Sequence, residues 1–181
     1  MGEKVMLEFK WVTREQSTPN QKPKVYFSCH KEDFVYFDDV CKDILLKQDC
    51  AIYYYDDFNE LDDENLKEYE FLLSNIDLFV FVVTEKFLTT ANRSLDFDFK
   101  FAKKHKIPVL PLMYEQNLAQ KFSEKCGKLQ YLNKLKTDET AISYNKKLTD
   151  FLNNTLISGE LAKKVREAFD KHIFLSYRKK K

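Results

Sequence analysis

The sequence predicts an α/β protein in which a central parallel β-sheet is flanked by helices. Short apolar segments alternate along the chain with segments whose apolar residues recur at helical spacing. One apolar segment, Leu78–Val83, is an unbroken hydrophobic run, which is typical of a central parallel strand covered on both faces. Strands that alternate with helices imply right-handed crossovers. Ligands of such a sheet are expected beyond the carboxyl ends of its strands.

Length and composition exclude several classes of protein. The chain has 181 residues, which is enough for one domain with a sizeable core. It contains only three glycines, so it has no glycine-rich P-loop, no GxGxxG dinucleotide turn and no GxSxG nucleophile elbow. A net charge of +1 gives no overall field that would attract nucleic acid or an anionic membrane. We therefore expect neither nucleic acid nor a membrane as a partner.

The sequence also carries no targeting or metal-binding signal. Its longest purely apolar run is too short to span a bilayer, and its first ten residues are charged where a signal peptide would be apolar. Its four cysteines show no CxxC spacing, and with only three histidines they suggest neither a zinc site nor a disulfide framework. We expect a cytoplasmic protein with reduced thiols, no metal and no resident cofactor.

The first half of the chain is predicted to hold a polar leader followed by strands and helices. Residues 1–23 are polar and mixed, and form the leader. The apolar run at 25–28 predicts the first strand, and the apolar spacing over 34–45 predicts the first helix. The aromatic, β-prone run at 50–55 predicts a second strand that ends at an acidic loop. A second helix, capped by an aspartate, is predicted over 62–74 before the strand Leu78–Val83.

Two rules conflict in the segment 94–104. Leu95, Phe97, Phe99 and Phe101 alternate with polar residues, and this period of two predicts a strand. Asn92 or Ser94 could instead cap a helix that has acidic residues in its first turn and basic residues in its last. Periodicity alone favours the strand.

The rest of the domain shows fewer signals. The apolar run at 107–113 predicts another strand, whose prolines suit its start or an edge position. Residues 115–135 are predicted to be irregular. Apolar spacing over 144–152 predicts a further amphipathic helix, and 158–171 predicts a linker helix after a serine-glycine break.

The end of the chain repeats its first strand. KVYFSCHK at 24–31 and HIFLSYRK at 172–179 share an apolar triplet, a serine, one further residue, a basic residue and a lysine. Ser28 thereby corresponds to Ser176. A parallel-sheet domain cannot form from one strand, so 172–181 is predicted to be the truncated first strand of a second domain of the same kind. The alternative is a coincidental β-prone tail with a solvated lysine end.

These segments resemble the Toll/interleukin-1 receptor (TIR) domain in its bacterial form. VYFSCHKED at 25–33 and IFLSYRKK at 173–180 look like the opening strand and following loop of that family. Residues 75–113 look like its third strand, third helix and final strand regions. The resemblance extends over about 24–151, and we assign 24–157 to the domain. It implies a flavodoxin-like fold and makes 94–104 a helix, which we adopt over the strand.

The resemblance also implies a function. Family members self-associate, either as scaffolds for other TIR domains or as enzymes that cleave NAD at the bond between nicotinamide and ribose. In the enzymes a glutamate early in the third helix precedes a small residue by four positions, a spacing that Asp98 and Ala102 fill here. A carboxylate held against the ribose can orient its hydroxyls and balance the charge of an oxocarbenium-like transition state. Aspartate keeps that charge but is shorter than glutamate by one methylene.

Four further residues are predicted to line a substrate cleft with Asp98. Ser28 and His30 follow the first strand, Asp56 follows the second and Thr84 follows the third. The carboxyl ends of parallel strands meet at one edge of a sheet, so these side chains are candidates for binding NAD as a substrate.

Two functions remain open from the sequence. In the first, this domain cleaves NAD in bacterial signalling or immunity, with Asp98 as the catalytic residue. In the second, it is a catalytically degenerate interaction module that regulates a downstream TIR domain. The loop after Tyr55 lacks the proline-glycine pair that many relatives carry. A metal-holding acidic pair at Asp56 and Asp57, as in response regulators, is disfavoured because no phosphoacceptor aspartate ends the third strand.

Overall fold

A six-stranded sheet forms the centre of the molecule in the computed structural model, which describes residues 6–135 and 138–157, with side chains outside 138–143 and 157. The strands lie in the order β1-β3-β2-β4-β5-β6. Their bounds are β1 Lys10–Thr13, β2 Lys24–Ser28, β3 Ala51–Tyr54, β4 Leu78–Val83, β5 Val109–Met113 and β6 Leu132–Asn133. β1 is antiparallel to β3, and all other neighbours are parallel. The five parallel strands have the order of flavodoxin-like folds, so the predicted fold class is confirmed.

Helices cover both faces of this sheet. Their bounds are α1 Phe37–Lys47, α2 Asp63–Leu73, α3 Glu85–Thr89, α4 Lys100–Lys104, α5 Ala119–Cys126 and α6 Asp138–Leu152. α1 and α6 pack on one face with Val25 and Phe27, while α2 to α5 pack on the other face with Tyr26. Alternate residues of a strand point to opposite faces, so β2 contributes to both cores. None of the described helices has the length and apolarity needed to cross a membrane.

The segment 94–104 is helical. The resemblance implied a helix here, whereas the alternation of apolar and polar residues had predicted a strand. A π-helical turn, Ser94–Phe99, runs directly into α4. The Asn92 side chain accepts a hydrogen bond from the Leu95 backbone at 3.0 Å, which caps this turn. Leu95, Phe99 and Ala102 are all buried against the sheet. A helix can bury these residues together because their spacing of three to four returns them to one face.

The prediction that 115–135 is irregular is wrong. This stretch contains α5 and the two-residue strand β6, which extends the sheet beyond β5. The helical signal was present in the sequence, since Leu118, Phe122 and Cys126 are spaced by four and are all buried. β6 is too short for any periodic pattern to show it.

Part of the segment predicted as a polar leader forms a strand of the sheet. β1 pairs antiparallel with β3 from Lys10 opposite Tyr54 to Thr13 opposite Ala51. Just before it, the ring of Phe9 lies 4.9 Å from that of Tyr26 and 5.4 Å from that of Tyr69, measured between centroids. The predicted linker helix at 158–171 and the predicted second-domain strand at 172–181 lie outside the described residues.

We predict that Phe9→Ala destabilises the domain by about 2 kcal/mol, because a half-buried ring would be lost from the aromatic cluster. Urea unfolding followed by circular dichroism would measure the change. Met6→Ala is the matched control, since Met6 is 68% exposed and its loss should change stability by less than about 0.5 kcal/mol. Equal stability of the Phe9→Ala variant and the unsubstituted chain would show that the Phe9 ring does not contribute to the stability of the domain.

Candidate functional site

The first polar cluster at the carboxyl edge of the strands is built around Asp98. This residue lies in the π-helical turn Ser94–Phe99, and only 3% of its surface is exposed. Its Oδ2 accepts a hydrogen bond of 2.7 Å from the Ser28 hydroxyl, at the end of β2. Its Oδ1 accepts one of 2.6 Å from the Tyr69 hydroxyl, on α2. A strand and a helix are thus both fastened to one buried carboxylate.

Two further hydroxyls extend these contacts. The Ser94 hydroxyl lies 2.5 Å from that of Ser28, and the Tyr26 hydroxyl lies 2.7 Å from that of Tyr69. Ser28 and Tyr69 give their protons to Asp98, so Ser94 and Tyr26 must donate to them. Four hydroxyl dipoles therefore point towards one carboxylate along two short chains of hydrogen bonds. We call these five residues the Asp98 network.

Arg93 supplies the positive charge beside this network. Its guanidinium carbon lies 5.1 Å from the ring centroid of Tyr55 and 5.1 Å from that of Tyr69, a cation–π arrangement. It also donates a hydrogen bond of 2.7 Å to the backbone carbonyl of Asp57. Arg93 therefore holds the acidic loop after β3 against the network while partly balancing the carboxylate charge.

Burial dominates the ionisation of Asp98. Loss of hydration raises the pKa of its carboxyl from 3.8 to about 6, against the opposing effects of the hydrogen bonds from Tyr69 and Ser28 and the charge of Arg93. The carboxyl is therefore mostly ionised at neutral pH. Burial and the nearby carboxylate also raise the pKa of the Tyr69 and Tyr26 hydroxyls, which keeps both as donors.

The space beside Asp98 is small. The cavity there has a volume of about 10 Å³, which is room for about one water molecule. Ser28, Arg93 and aromatic side chains that include Tyr54 and Phe58 enclose it. The cavity can therefore hold a water between polar groups, and a nucleotide does not fit in it.

A second polar cluster lies around Asp33, in the turn after β2. The Thr84 hydroxyl donates a hydrogen bond of 2.5 Å to Asp33 Oδ2 and accepts one of 3.2 Å from the Phe87 backbone, which caps α3. His30 is buried nearby, and its Nδ1 accepts a hydrogen bond from the Glu32 backbone at 3.1 Å. Burial lowers the pKa of His30 and raises the pKa of Asp33. These contacts join the turn after β2 to the end of β4.

The structure distributes the five predicted site residues over three places. Ser28 and Asp98 are in direct contact in the Asp98 network. Thr84 and His30 belong to the cluster around Asp33. Asp56 forms an exposed ion pair of 2.9 Å with Lys10. Side chains along a strand alternate between the two faces of the sheet. Tyr26 and Val83 lie on the same face, so Ser28 shares that face with Tyr26, whereas Thr84 lies on the opposite face.

The sequence did not predict Tyr69, Tyr26, Ser94 and Arg93 as members or neighbours of the site. Tyr69 fits the apolar face of α2 and Tyr26 fits a buried strand, so both resemble core residues. A signal was nevertheless available, because a buried tyrosine hydroxyl nearly always has a hydrogen-bond partner. Two tyrosines at predicted core positions therefore call for a polar group between the strand and the helix. Neither the distances nor Arg93 could be obtained in this way.

Comparisons with known proteins give no functional assignment. No family model and no curated protein matches the chain. Similar solved structures include a de novo designed Rossmann 2x3 fold protein, with 18% identity over 77% of this chain and 92% of that one, at a TM-score of 0.42. A signal receiver domain of an HD domain-containing protein from Pseudomonas fluorescens Pf-5 has 11% identity over 74% of this chain and 99% of that one, at a TM-score of 0.41. Beta-glucoside phosphorylase BglX has 14% identity over 78% of this chain and 27% of that one, at a TM-score of 0.42.

We predict that Asp98→Asn changes how stability depends on pH. The pKa of Asp98 is about 6 in the folded chain and close to 3.8 when unfolded, so its ionisation destabilises the fold as pH rises through this interval. Relative to the asparagine variant, the unsubstituted chain should lose about 2 kcal/mol between pH 4 and pH 7.

Urea unfolding of both chains at a series of pH values would measure this difference. An amide fits the site because Ser28 can accept from it and turn its own proton to Ser94, which reverses one chain of hydrogen bonds. Groups other than Asp98 titrate equally in both proteins. Parallel pH profiles would therefore show that Asp98 has an ordinary pKa in the folded chain.

Proposed function

We propose that this chain is a TIR domain of the bacterial type that acts by associating with other TIR domains and does not itself cleave NAD. The observation that carries this proposal is the closure of the Asp98 network. The carboxylate is 3% exposed, and each of its oxygens accepts a hydrogen bond from a hydroxyl of the protein.

Protein hydroxyls occupy the positions that a substrate would need. A carboxylate that assists cleavage of a nucleosidic bond must come within hydrogen-bond distance of the ribose. Here Ser28 and Tyr69 already make those bonds, at 2.7 Å and 2.6 Å. Opening the site would break both, and would leave a charged group and two hydroxyls without their partners. The network therefore favours a structural role for Asp98.

Exposed apolar side chains favour an interaction role. Val35, in the turn after β2, is 79% exposed, and Phe71, on α2, is 69% exposed. Contiguous apolar patches in contact with water mark surfaces that bind other proteins, and Val35 and Phe71 are candidate members of such patches. The partner that we propose is another TIR domain, either a second copy or the domain whose first strand is predicted at 172–181.

NAD cleavage is the second candidate. The observation that favours it is a carboxylate beside Arg93 at the carboxyl edge of a parallel sheet, where ligands of such sheets bind. The resemblance to the family matches Asp98 with the glutamate of the enzymes. For this function, Tyr69 and Ser28 would have to exchange their hydrogen bonds for those of the ribose.

Nicotinamide release distinguishes the two functions. The full chain, at high protein concentration, is incubated with NAD beside the Asp98→Ala and Asp98→Glu variants. We expect only background release from all three, because the site is closed and a longer side chain cannot enter it without strain. Thermal unfolding by circular dichroism identifies which variants are folded. Release by the unsubstituted chain that Asp98→Ala abolishes would establish the enzyme, and release by Asp98→Glu would show that the site opens.

Association is tested by sedimentation equilibrium. We expect the average mass of the unsubstituted chain to rise with concentration, and a Val35→Asp/Phe71→Asp variant to associate at least about tenfold more weakly. A Gln120→Asp/Gln130→Asp variant adds the same charge at exposed polar positions and should behave as the unsubstituted chain. Equal weakening by both variants would attribute the effect to charge alone. A mass that stays monomeric at every concentration would contradict self-association.

A further inference from the structure

A groove lies on the surface between the helix that carries Asp98 and the following helix. Its walls come from residues 95–103 on one side and from the end of α5 on the other. It has a volume of about 520 Å³, which is within the range of pockets that hold small organic ligands. We call it the α4–α5 groove. It is open to solvent, unlike the small cavity beside Asp98.

The floor of the α4–α5 groove is apolar. Leu95, Phe99 and Cys126 line it, and each has less than a tenth of its surface exposed. Burial raises the pKa of the Cys126 thiol to about 11, so the thiol is neutral and behaves as a small apolar group. Gly127 ends α5 with φ +80 and adds no side chain to the groove. The floor therefore suits an aromatic or aliphatic group.

The rim of the groove is positively charged. Lys100, Lys103 and Lys125 line it, are exposed, and form no ion pair with any residue in the described part of the chain. The ammonium of Lys103 lies 5.7 Å from the centroid of the Phe99 ring, so a positive charge stands directly beside the apolar floor. A negatively charged group placed here would be attracted by three cations, which outnumber the two carboxylates of the groove by one.

The two carboxylates of the groove accept hydrogen bonds from groups that are close to them in the chain. Asp96 accepts a hydrogen bond of 3.0 Å from the Asn92 backbone, and Glu124 accepts one of 3.3 Å from the Gln120 side chain. Neither forms an ion pair with the lysines of the rim within the residues that the structure covers. Both carboxylates keep their negative charge, so the five ionised side chains of the groove carry a net charge of +1, which favours an anion.

We propose that the α4–α5 groove binds a small organic anion whose apolar part lies on Leu95 and Phe99. Its charged group, a phosphate, sulfonate or carboxylate, would contact Lys103 and Lys125. The volume of about 520 Å³ suits a small molecule, because ligand pockets typically measure about 300–1,000 Å³. This binding site goes beyond the proposed function and does not depend on it.

Binding of anilinonaphthalene sulfonate to the full chain tests this proposal, because the dye combines a sulfonate with an aromatic body. We expect saturable fluorescence enhancement, and backbone amide shifts confined to residues 94–103 and 123–128. The neutral analogue phenylnaphthylamine lacks the sulfonate and should bind more weakly. Amide shifts that map to another surface, or binding of the neutral analogue that is equally tight, would overturn the proposal.

Two charge-matched variants show whether the groove lysines are responsible. Lys103→Gln/Lys125→Gln should weaken dye binding roughly tenfold, since two attractive contacts are lost. Lys42→Gln/Lys67→Gln removes the same charge from exposed positions on α1 and α2, and should change binding less than about twofold. Equal weakening by the two variants would overturn the site. Unchanged thermal unfolding of each variant would confirm that the dye reports a folded surface.

Discussion

A carboxylate removed from water stays ionised only when donors and a cation replace its lost hydration. Asp98 meets this requirement through Ser28, Tyr69 and the nearby Arg93 guanidinium. Each of these residues comes from a different part of the chain, so the requirement also fixes their relative positions. The end of β2, the middle of α2 and the turn before α4 are held together at one point.

The aromatic residues of the same face depend on this contact. Tyr69 packs edge to face against Tyr26, and Phe9 covers both rings from the segment before β1. A tyrosine contributes a large apolar surface together with one hydroxyl that must be bonded. The network supplies that bond for both tyrosines, so the packing of the aromatic core depends on the same hydrogen bonds that hold Asp98. Closure of the Asp98 site is thus a consequence of how this core is packed.

The two sites differ in how their charges are balanced. Inside the fold, the carboxylate of Asp98 has its donors within 2.7 Å and a space for about one water. On the surface, the lysines of the α4–α5 groove stand beside apolar residues with no carboxylate partner among the described residues. The first arrangement is complete without a ligand, whereas the second leaves the lysine charges open to the anion that we propose. Asp98, Lys100 and Lys103 all belong to the helical segment that begins at Ser94.

Sequence alone determined the layered α/β architecture, because unbroken apolar strands and helical apolar spacing are local patterns that survive in one dimension. It also singled out Ser28 and Asp98, which the fold brings into contact. It gave no sign of β6, and its period of two was misleading at 94–104, because burial against the sheet outweighed local alternation. The hydrogen bonds from Tyr69, the place of Arg93 and the distribution of Thr84 and Asp56 away from Asp98 were decided only by the tertiary structure. Distances between residues far apart in the chain, and the face to which each side chain turns, arise when helices and strands pack.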